Sequence, residues 1–448
     1  MSAWVGLDAG TTSSKVVVYD DDDRPLAEGR QDTRWDVAAD GVQIDPQALL
    51  DGARAALAQA LDQLPGDVVV AGLGITSMGE TGVLVDRHGR PVAPAIAWHD
   101  VRDADEVARL ERELGADTFS ATTGKPIRGQ WSLTKHRWLV DRRPEVSAAV
   151  RRFNVGEWVA RGLGAEEACD RALACRTGWF DLIGNRWWEE ALAWSGAAAS
   201  LMPALVQSGE PIGRVSDGTV HPRLRGAVLT LAGHDHQAAA LGAGAGGIDD
   251  EFDSSGTAEA LIRTVPPTLT REQVLSLARR GVTTDVSIQP GSWSLLGGTE
   301  GGLAMQRTLS VLGVSRAGLA ALDELALEAP SGVVRVGGVG GAALELGRLT
   351  DGVGPGHVWR AVVEAATAQA VELHRAIVDI VGPHRALVAA GGWCNSAMVM
   401  AAKRAGFGEL TVADVGEAGA LGAATLAARA AGHLGPVDVL GPPPGERA

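Results

Sequence analysis

Asp8-Ala9-Gly10-Thr11-Thr12-Ser13 and Asp253-Ser254-Ser255-Gly256-Thr257-Ala258 are the two stretches that decide the reading of this chain. Each opens on an acid, turns on a glycine and continues with small hydroxyl residues. Largely apolar runs flank them, at 4–7 and 15–19 around the first and at 260–262 after the second. A strand, a tight Gly-Thr turn and another strand put backbone N–H groups and hydroxyls on one concave surface, which suits a phosphate. Two such turns about half a chain apart point to two related lobes that close on one polyphosphate.

The bulk numbers fit that picture. A length of 448 residues favours two or three domains with ample core. The apolar fraction of 46% and charged fraction of 21% are those of a soluble globular protein. A net charge of −15, with no block of Lys or Arg, argues against nucleic acid and anionic membrane as partners. A polyphosphate must then be held by local donors and a metal. Cys169, Cys175 and Cys394 are not in metal-ligand pairs, and the first two read as buried thiols rather than a zinc site. No signal peptide precedes the first strand and no run of ~18 apolar residues occurs, so a cytoplasmic location is expected.

Along the chain, the acids at 20–23 read as a solvated hairpin tip. Residues 48–64 read as a helix stopped by Pro65, and 68–75 as a buried strand. Residues 103–114 read as a charged amphipathic helix and 226–231 as a strand that leads into Asp235 and a helix. The glycine-dense stretch 242–247 is the candidate hinge. Val363, Ala366, Ala370, Leu373, Ile377 and Val381 recur at helical spacing, with Pro383 as the stop. Asn395 is the expected N-cap of a helix over 396–405, and the tail 441–448 is expected to be poorly ordered. Strands alternating with helices, with a hairpin at the front of each half, make an α/β protein with mixed sheets.

Five segments in order resemble the FGGY carbohydrate kinases of the actin-like ATPase superfold. They are 8–15, 98–102, 135–139, then 233–237 with the second phosphate turn, and Gly391-Gly392 with the helix around 419–424. The resemblance implies two RNase H-like domains and an interdomain cleft, drawn here as 1–240 with the sugar site and 241–448 with the adenine site. It also implies transfer of the ATP γ-phosphoryl group to a sugar or polyol hydroxyl with Mg²⁺. Relatives often form homodimers.

On that resemblance, Asp235 is the general base, with a helix N-cap as the plainer role for the same residue. A helix N-terminus is expected to keep it ionised. Asp8 holds Mg²⁺ or forms an Asx turn. Gly10, Thr11, Thr12, Ser13 and Lys15 face phosphates, with a solvated strand-start residue as the alternative for Lys15. Gly256 and Thr257 cradle phosphates from the second half, and Gly302 and Gln306 contact the nucleotide. Gly391, Gly392 and Asn395 take the purine, unless they form a plain strand-to-helix turn. For the acceptor, the expected residues are Trp98, Asp100, Arg102, Glu80 and Thr81, with His234 and His236 either facing the sugar or packed in the core. The loop Ser77-Met78-Gly79-Glu80-Thr81 lacks the Gln-Arg of glycerol kinases and the Gln-Met-His of xylulose kinases. Gly79 reads as space for an acceptor larger than glycerol. Trp187, Trp188 and Trp194 read as core or interface, with sugar stacking as the alternative. Two other functions use the same phosphate turns: an actin-like ATPase acting as a chaperone-like or sensor module, and a degenerate sugar-binding regulator.

Overall fold

The computed structural model describes residues 2–216, 221–256, 258–341, 343–436, 438 and 440. Thr257 and the tail 441–448, both singled out from the sequence, lie outside the described residues. Among the described residues two six-stranded mixed sheets carry the chain. The first contains β1 (Ser2–Ala9), β2 (Ser13–Tyr19), β3 (Pro25–Asp32), β4 (Val69–Ser77), β5 (Pro211–Arg214) and β6 (Val228–His234), ordered β5-β6-β4-β1-β2-β3. The second contains β7 (Asp250–Ser255), β8 (Glu259–Val265), β9 (Val282–Val286), β10 (Trp293–Thr299), β11 (Ala386–Ala390) and β12 (Thr411–Val412), ordered β9-β10-β8-β7-β11-β12. Both follow one plan. The leading strand pairs antiparallel with the next strand and parallel with a later one: β1 with β2 and β4, β7 with β8 and β11. The two quoted turns are the β1–β2 and β7–β8 connections.

Side chains on β1 alternate between two cores, as the period of a strand requires. Ala3, Val5 and Leu7 pack with Leu49, Ala53, Leu57 and Ala60 of the helix Pro46–Asp62. Trp4 faces the other way, against Ala420, Leu421 and Ala424 of the helix Ala418–Ala430. Gly6 lies between them on that second face, where a Cβ would collide with the carbonyl of Ala420. The C-terminal helix therefore returns to the first sheet, while the rest of the chain after 250 builds the second. Residues 242–247 join the helix Asp235–Gly242 to β7 and so connect the two sheets.

Some boundaries differ from the sequence reading. Helix Pro355–Val381 stops at Gly382, whose left-handed φ of 86° ends it before Pro383. The helix after β11 runs Ala397–Phe407 and is capped by Ser396, whose hydroxyl accepts from Val399 N, not by Asn395. Cys169 and Cys175 are buried thiols. Trp187, Trp188 and Trp194 pack against the cluster around the buried Trp131 and Trp179. No helix among the described residues is long and apolar enough to cross a membrane.

Candidate active site

The parallel strands β1, β4 and β6 end side by side, and their ends open onto a cleft of about 820 Å³. They present Thr11, the turn at Met78, Gly79 and Glu80, and His234, Asp235 and His236. Ala258, Gly298, Thr299 and Glu300 from the second half form the facing wall. Gly233, at a φ of 66°, bends the chain out of β6, and its carbonyl accepts the Thr76 hydroxyl at 2.9 Å. That bend starts the helix at Asp235, with His234 at the cap position. Asp235 is thus not the cap. Its Oδ1 accepts the adjacent His236 N–H at 2.7 Å, and 24% of its side chain stays open to the cleft. Burial, then the nearby Glu80 carboxylate, push its pKa up to about 7 against the pull of His236 N–H and Arg176. The expectation that the helix terminus would hold it low is overturned, because one N–H does not offset lost hydration.

Asp8 sits opposite Lys15 in the β1–β2 register. Its Oδ1 is buried with no hydrogen-bond partner. Burial and the charge of Asp235 push its pKa up to about 8. The matching acid of the second turn, Asp253, is differently placed. It is buried and paired with Lys403, which also takes Glu259. Both turn acids keep one buried oxygen without a hydrogen-bond partner, but Asp253 is ion-paired with Lys403 whereas Asp8 has no ion pair among the described residues. A divalent cation with oxygen ligands fits there. Lys15 does not reach into the cleft; its Nζ pairs with Glu417 at 2.7 Å at the head of the returning helix.

The first turn is pinned from several sides. Gly10 N donates to Ser13 O, Thr33 Oγ1 to Gly10 O, Thr33 N to Thr12 O and Trp35 Nε1 to Thr11 O. Trp98 Nε1 donates to Thr11 Oγ1 at 2.9 Å, which puts the indole on the cleft wall beside the turn. Thr12 is exposed, and Ser13 Oγ is buried without a partner. A Cβ on Gly10 would come within 3.2 Å of Ser13 O, and one on Gly256 within 3.3 Å of Ala258 O, so in both turns a side chain would force its neighbour to give by a few tenths of an ångström. Gly391, at a φ of 113°, nests on the backbone of Ser255, so its loop lies directly behind the second turn. Gly392 lies beside Arg316, whose guanidinium stacks on Trp393 at 5.3 Å. Gly302 is buried at the start of the helix Gly301–Val311, and Gln306 and Asn395 are exposed. None of these five second-half residues lines the main cleft.

On the acceptor side the structure separates the expected residues. Trp98, Glu80, His234 and His236 line the cleft. Asp100 and Arg102 do not. Both are buried and paired with each other at 2.8 Å; Asp100 also holds Val42 N and Arg102 holds Gln43 Oε1, which ties down the hairpin at Gly41. Thr81 is fully buried. Nor is Gly79 spare room: a Cβ there would meet His234 Cδ2 at 3.1 Å and Arg176 Cβ at 3.2 Å. Arg176, Arg128 and Gln130 line this side of the cleft and were missed by the sequence reading, as were Arg280, Glu300, Glu372 and Arg375, which also line it. Arg176 donates to Glu80 Oε1 through Nε at 2.8 Å and Nη2 at 2.5 Å, and Gln130 Nε2 donates to the same oxygen at 2.9 Å. These contacts hold Glu80 at a φ of 63°, a left-handed backbone that costs a non-glycine residue about 1 kcal/mol or more. Both histidines are kept neutral, chiefly by burial and then by Arg176, with His236 pushed down to about 4.

Residues 3–242 match the family model described as FGGY family of carbohydrate kinases, N-terminal domain. The chain is 31% identical to a xylulose kinase of Streptomyces coelicolor over 70% of its own length, a stretch that spans 63% of that enzyme. It is 31% identical to a glycerol kinase of Aromatoleum aromaticum over 98% of this chain and 92% of that one. Its fold superposes on the solved xylulose kinase of Rhodospirillum rubrum with a TM-score of 0.87 at 26% identity, covering 98% of this chain and 92% of the other.

Proposed function

Since the chain belongs to the FGGY family of carbohydrate kinases, we propose that it moves the γ-phosphoryl group of ATP to a hydroxyl of a sugar or polyol, with Asp235 as the general base. The observation that carries the reading is the cleft in which Asp235, open at one edge and poised near neutrality, faces the loops of both sheets. We assign residues 1–240 to an acceptor-binding domain and 241–448 to a nucleotide domain, with the helix Ala418–Ala430 crossing back between them. Mg²⁺ held through Asp8 would supply countercharge to the polyphosphate.

The chain's own residues do the rest. Thr11, with its hydroxyl fixed by Trp98, and the N–H groups of the two glycine turns orient phosphates. The loops around Gly302, Gly391 and Gly392 flank the adenine, outside the part of the cleft that holds Asp235. Glu80, immobilised by Arg176 and Gln130, takes acceptor hydroxyls. Asp235 accepts the proton of the attacking hydroxyl; because phosphoryl transfer is largely dissociative, that proton leaves late and a weak base suffices. Neutral His234 and His236 wall the acceptor without competing for the proton.

ADP release with Mg·ATP, measured across ketoses, polyols and sugar acids, tests the reading. One acceptor should stimulate strongly, and Asp235→Asn should cut kcat by roughly 10²–10⁴ while ATP still binds. Chelation should abolish the signal, and Asp8→Asn should raise the Mg²⁺ needed for half-maximal rate. Full turnover in Asp235→Asn would remove that residue from the mechanism. A basal ATPase rate that no acceptor raises would favour the actin-like ATPase instead.

A further inference from the structure

We infer that Lys403 is a positioning residue for the nucleotide: its buried ammonium fixes the neck of the second glycine turn and so sets how tightly ATP and ADP are held. The inference rests on the kinase reading above and adds to it a residue that touches neither substrate.

The turn between β7 and β8 has its neck at Asp253 on one strand and Glu259 on the other. In the register Ser255 faces Glu259 and Asp253 faces Leu261, so the two carboxylates share one face of the hairpin and lie diagonal to each other. The helix Ala397–Phe407 covers that face, with Met400 and Phe407 in one cluster with Leu261. Lys403 reaches from this helix between the two acids and donates to Asp253 Oδ2 and Glu259 Oε1. All three side chains are buried, and Lys403 is only 1% exposed. Glu259 carries the link further. Its Oε2 accepts the hydroxyl of Thr299, its direct partner across β8 and β10, at 3.1 Å. That hydroxyl accepts Gly301 N at 3.3 Å, at the start of the helix that holds Gly302. Ahead of the Lys403 helix, Gly391 nests on the backbone of Ser255. The three loops assigned to the nucleotide therefore meet around one ammonium.

One cation here faces two carboxylates. Burial, then the charge of Glu259, push the Asp253 pKa up to about 7 against the pull of Lys403. Near neutrality the set thus carries at most one surplus negative charge. Without Lys403 it would carry up to two, directly behind a turn that receives a polyphosphate, and the two strands would repel at the neck. A buried ion set gains little stability over apolar packing of the same volume, so its value lies in the geometry that it fixes. The same two strands hold a second buried ion pair at their far end, where Glu251 and Arg263 stand directly opposite each other. That pair is remote from the turn and has no part in the nucleotide loops.

Calorimetric binding of Mg·ADP to the wild type, Lys403→Met and Arg263→Met tests this, with thermal unfolding of each. Both variants should be less stable. Lys403→Met should weaken Mg·ADP by about 10-fold or more, the scale of one lost charge-assisted contact, while Arg263→Met stays within about threefold. In turnover Lys403→Met should raise KM for ATP with KM for the acceptor unchanged. The triple variant Lys403→Met, Asp253→Asn, Glu259→Gln buries no charge at the neck and serves where Lys403→Met does not fold; it should regain stability but not affinity. Wild-type affinity in Lys403→Met or in the triple variant would overturn the inference. So would an equal loss in Arg263→Met, which would make the effect one of general stability. The kinase reading is judged separately. Acceptor-stimulated ADP release with a wild-type KM for ATP in Lys403→Met keeps the kinase and removes the role of Lys403. Lys403-dependent Mg·ADP binding with no acceptor-stimulated release does the reverse. No Mg·ADP binding by the wild type would remove both.

Discussion

Glu80 shows how much of this site is decided by single residues placed by remote partners. Its left-handed backbone and carboxylate are held by Arg176, Gln130 and Ser132, from 50 to 96 positions away. Glu80→Gln keeps the shape and removes the charge that Arg176 faces. It should cost about 1.5–3 kcal/mol in denaturant unfolding, the worth of a hydrogen bond to a charged group, and raise acceptor KM as well. His136 gives a pH signature. It is buried with Nε2 unpartnered, and burial with Arg152 and Arg137 nearby lowers its pKa to about 4. Between about pH 6.5 and 4 the unfolded chain binds a proton there that the folded chain refuses. Stability from this residue is therefore complete above pH 6.5 and lost as pH falls towards 4, with a slope of up to about 1.4 kcal/mol per pH unit. Unfolding free energies at stepped pH should show His136→Asn to be less acid-sensitive than the wild type by that slope; parallel curves would refute the assignment. That Asp235 and Trp98 would lie on one cleft was legible in the sequence because each sits in a short motif whose spacing is local. Arg128 and Arg176 were not, because nothing in Ile127-Arg128-Gly129 or Cys175-Arg176-Thr177 marks them until the fold brings them to Glu80. Asp100 and Arg102 misled for the converse reason. Two charges two residues apart look free in a sequence but satisfy each other in space.

Among the elements, the helix Ala418–Ala430 does the most to tie the chain together. It meets backbone at glycine after glycine: a Cβ at Gly6 would strike Ala420 O, at Gly74 Ala423 O, at Gly242 Ala418 O and at Gly422 Ala238 O. Such approaches leave no room for one added methyl group. Gly422→Val should destabilise by about 3 kcal/mol or more, whereas Gly66→Ala, with nothing within 4 Å, should stay within about 0.5 kcal/mol. Equal unfolding midpoints for the two variants would show that the helix can shift at no cost. Periodicity made the elements themselves readable, since the alternation on β1 and the helical spacing from Val363 to Ile377 are signals within a single segment. The return of the last helix to the first sheet was not readable. An Ala/Gly helix fits either sheet, and only the row of glycines on β1 and β4 selects one. Ends fared worst for a related reason: Ser396 and Asn395 are both good caps, and Asp323 decides between them by accepting the Ser396 hydroxyl at 2.8 Å.

At the scale of the whole molecule the two sheets are joined at the floor of the cleft. Asp285, on β9 of the second sheet, pairs with Lys125 and Arg176 from the first half, all of them buried. The opposite walls, with Thr11 and Glu80 on one side and Glu300 and Thr299 on the other, share an open cleft. Closure on ligands is therefore expected to have a fixed point as well as a hinge: the walls should approach while the Asp285 cluster stays put, with 242–247 taking up the backbone change. Small-angle scattering should show a smaller radius of gyration when the acceptor and a non-hydrolysable ATP analogue are both present. An unchanged radius would count against closure. Asp285→Asn separates pivot from hinge. It leaves Lys125 buried without its carboxylate partner while Arg176 keeps Glu80, which should lower stability by about 3–5 kcal/mol, and the scattering change on adding ligands should shrink with it because the walls no longer turn about one point. A variant that lost stability yet compacted fully would place the pivot elsewhere, leaving the returning helix and its Lys15–Glu417 pair as the element about which the halves turn.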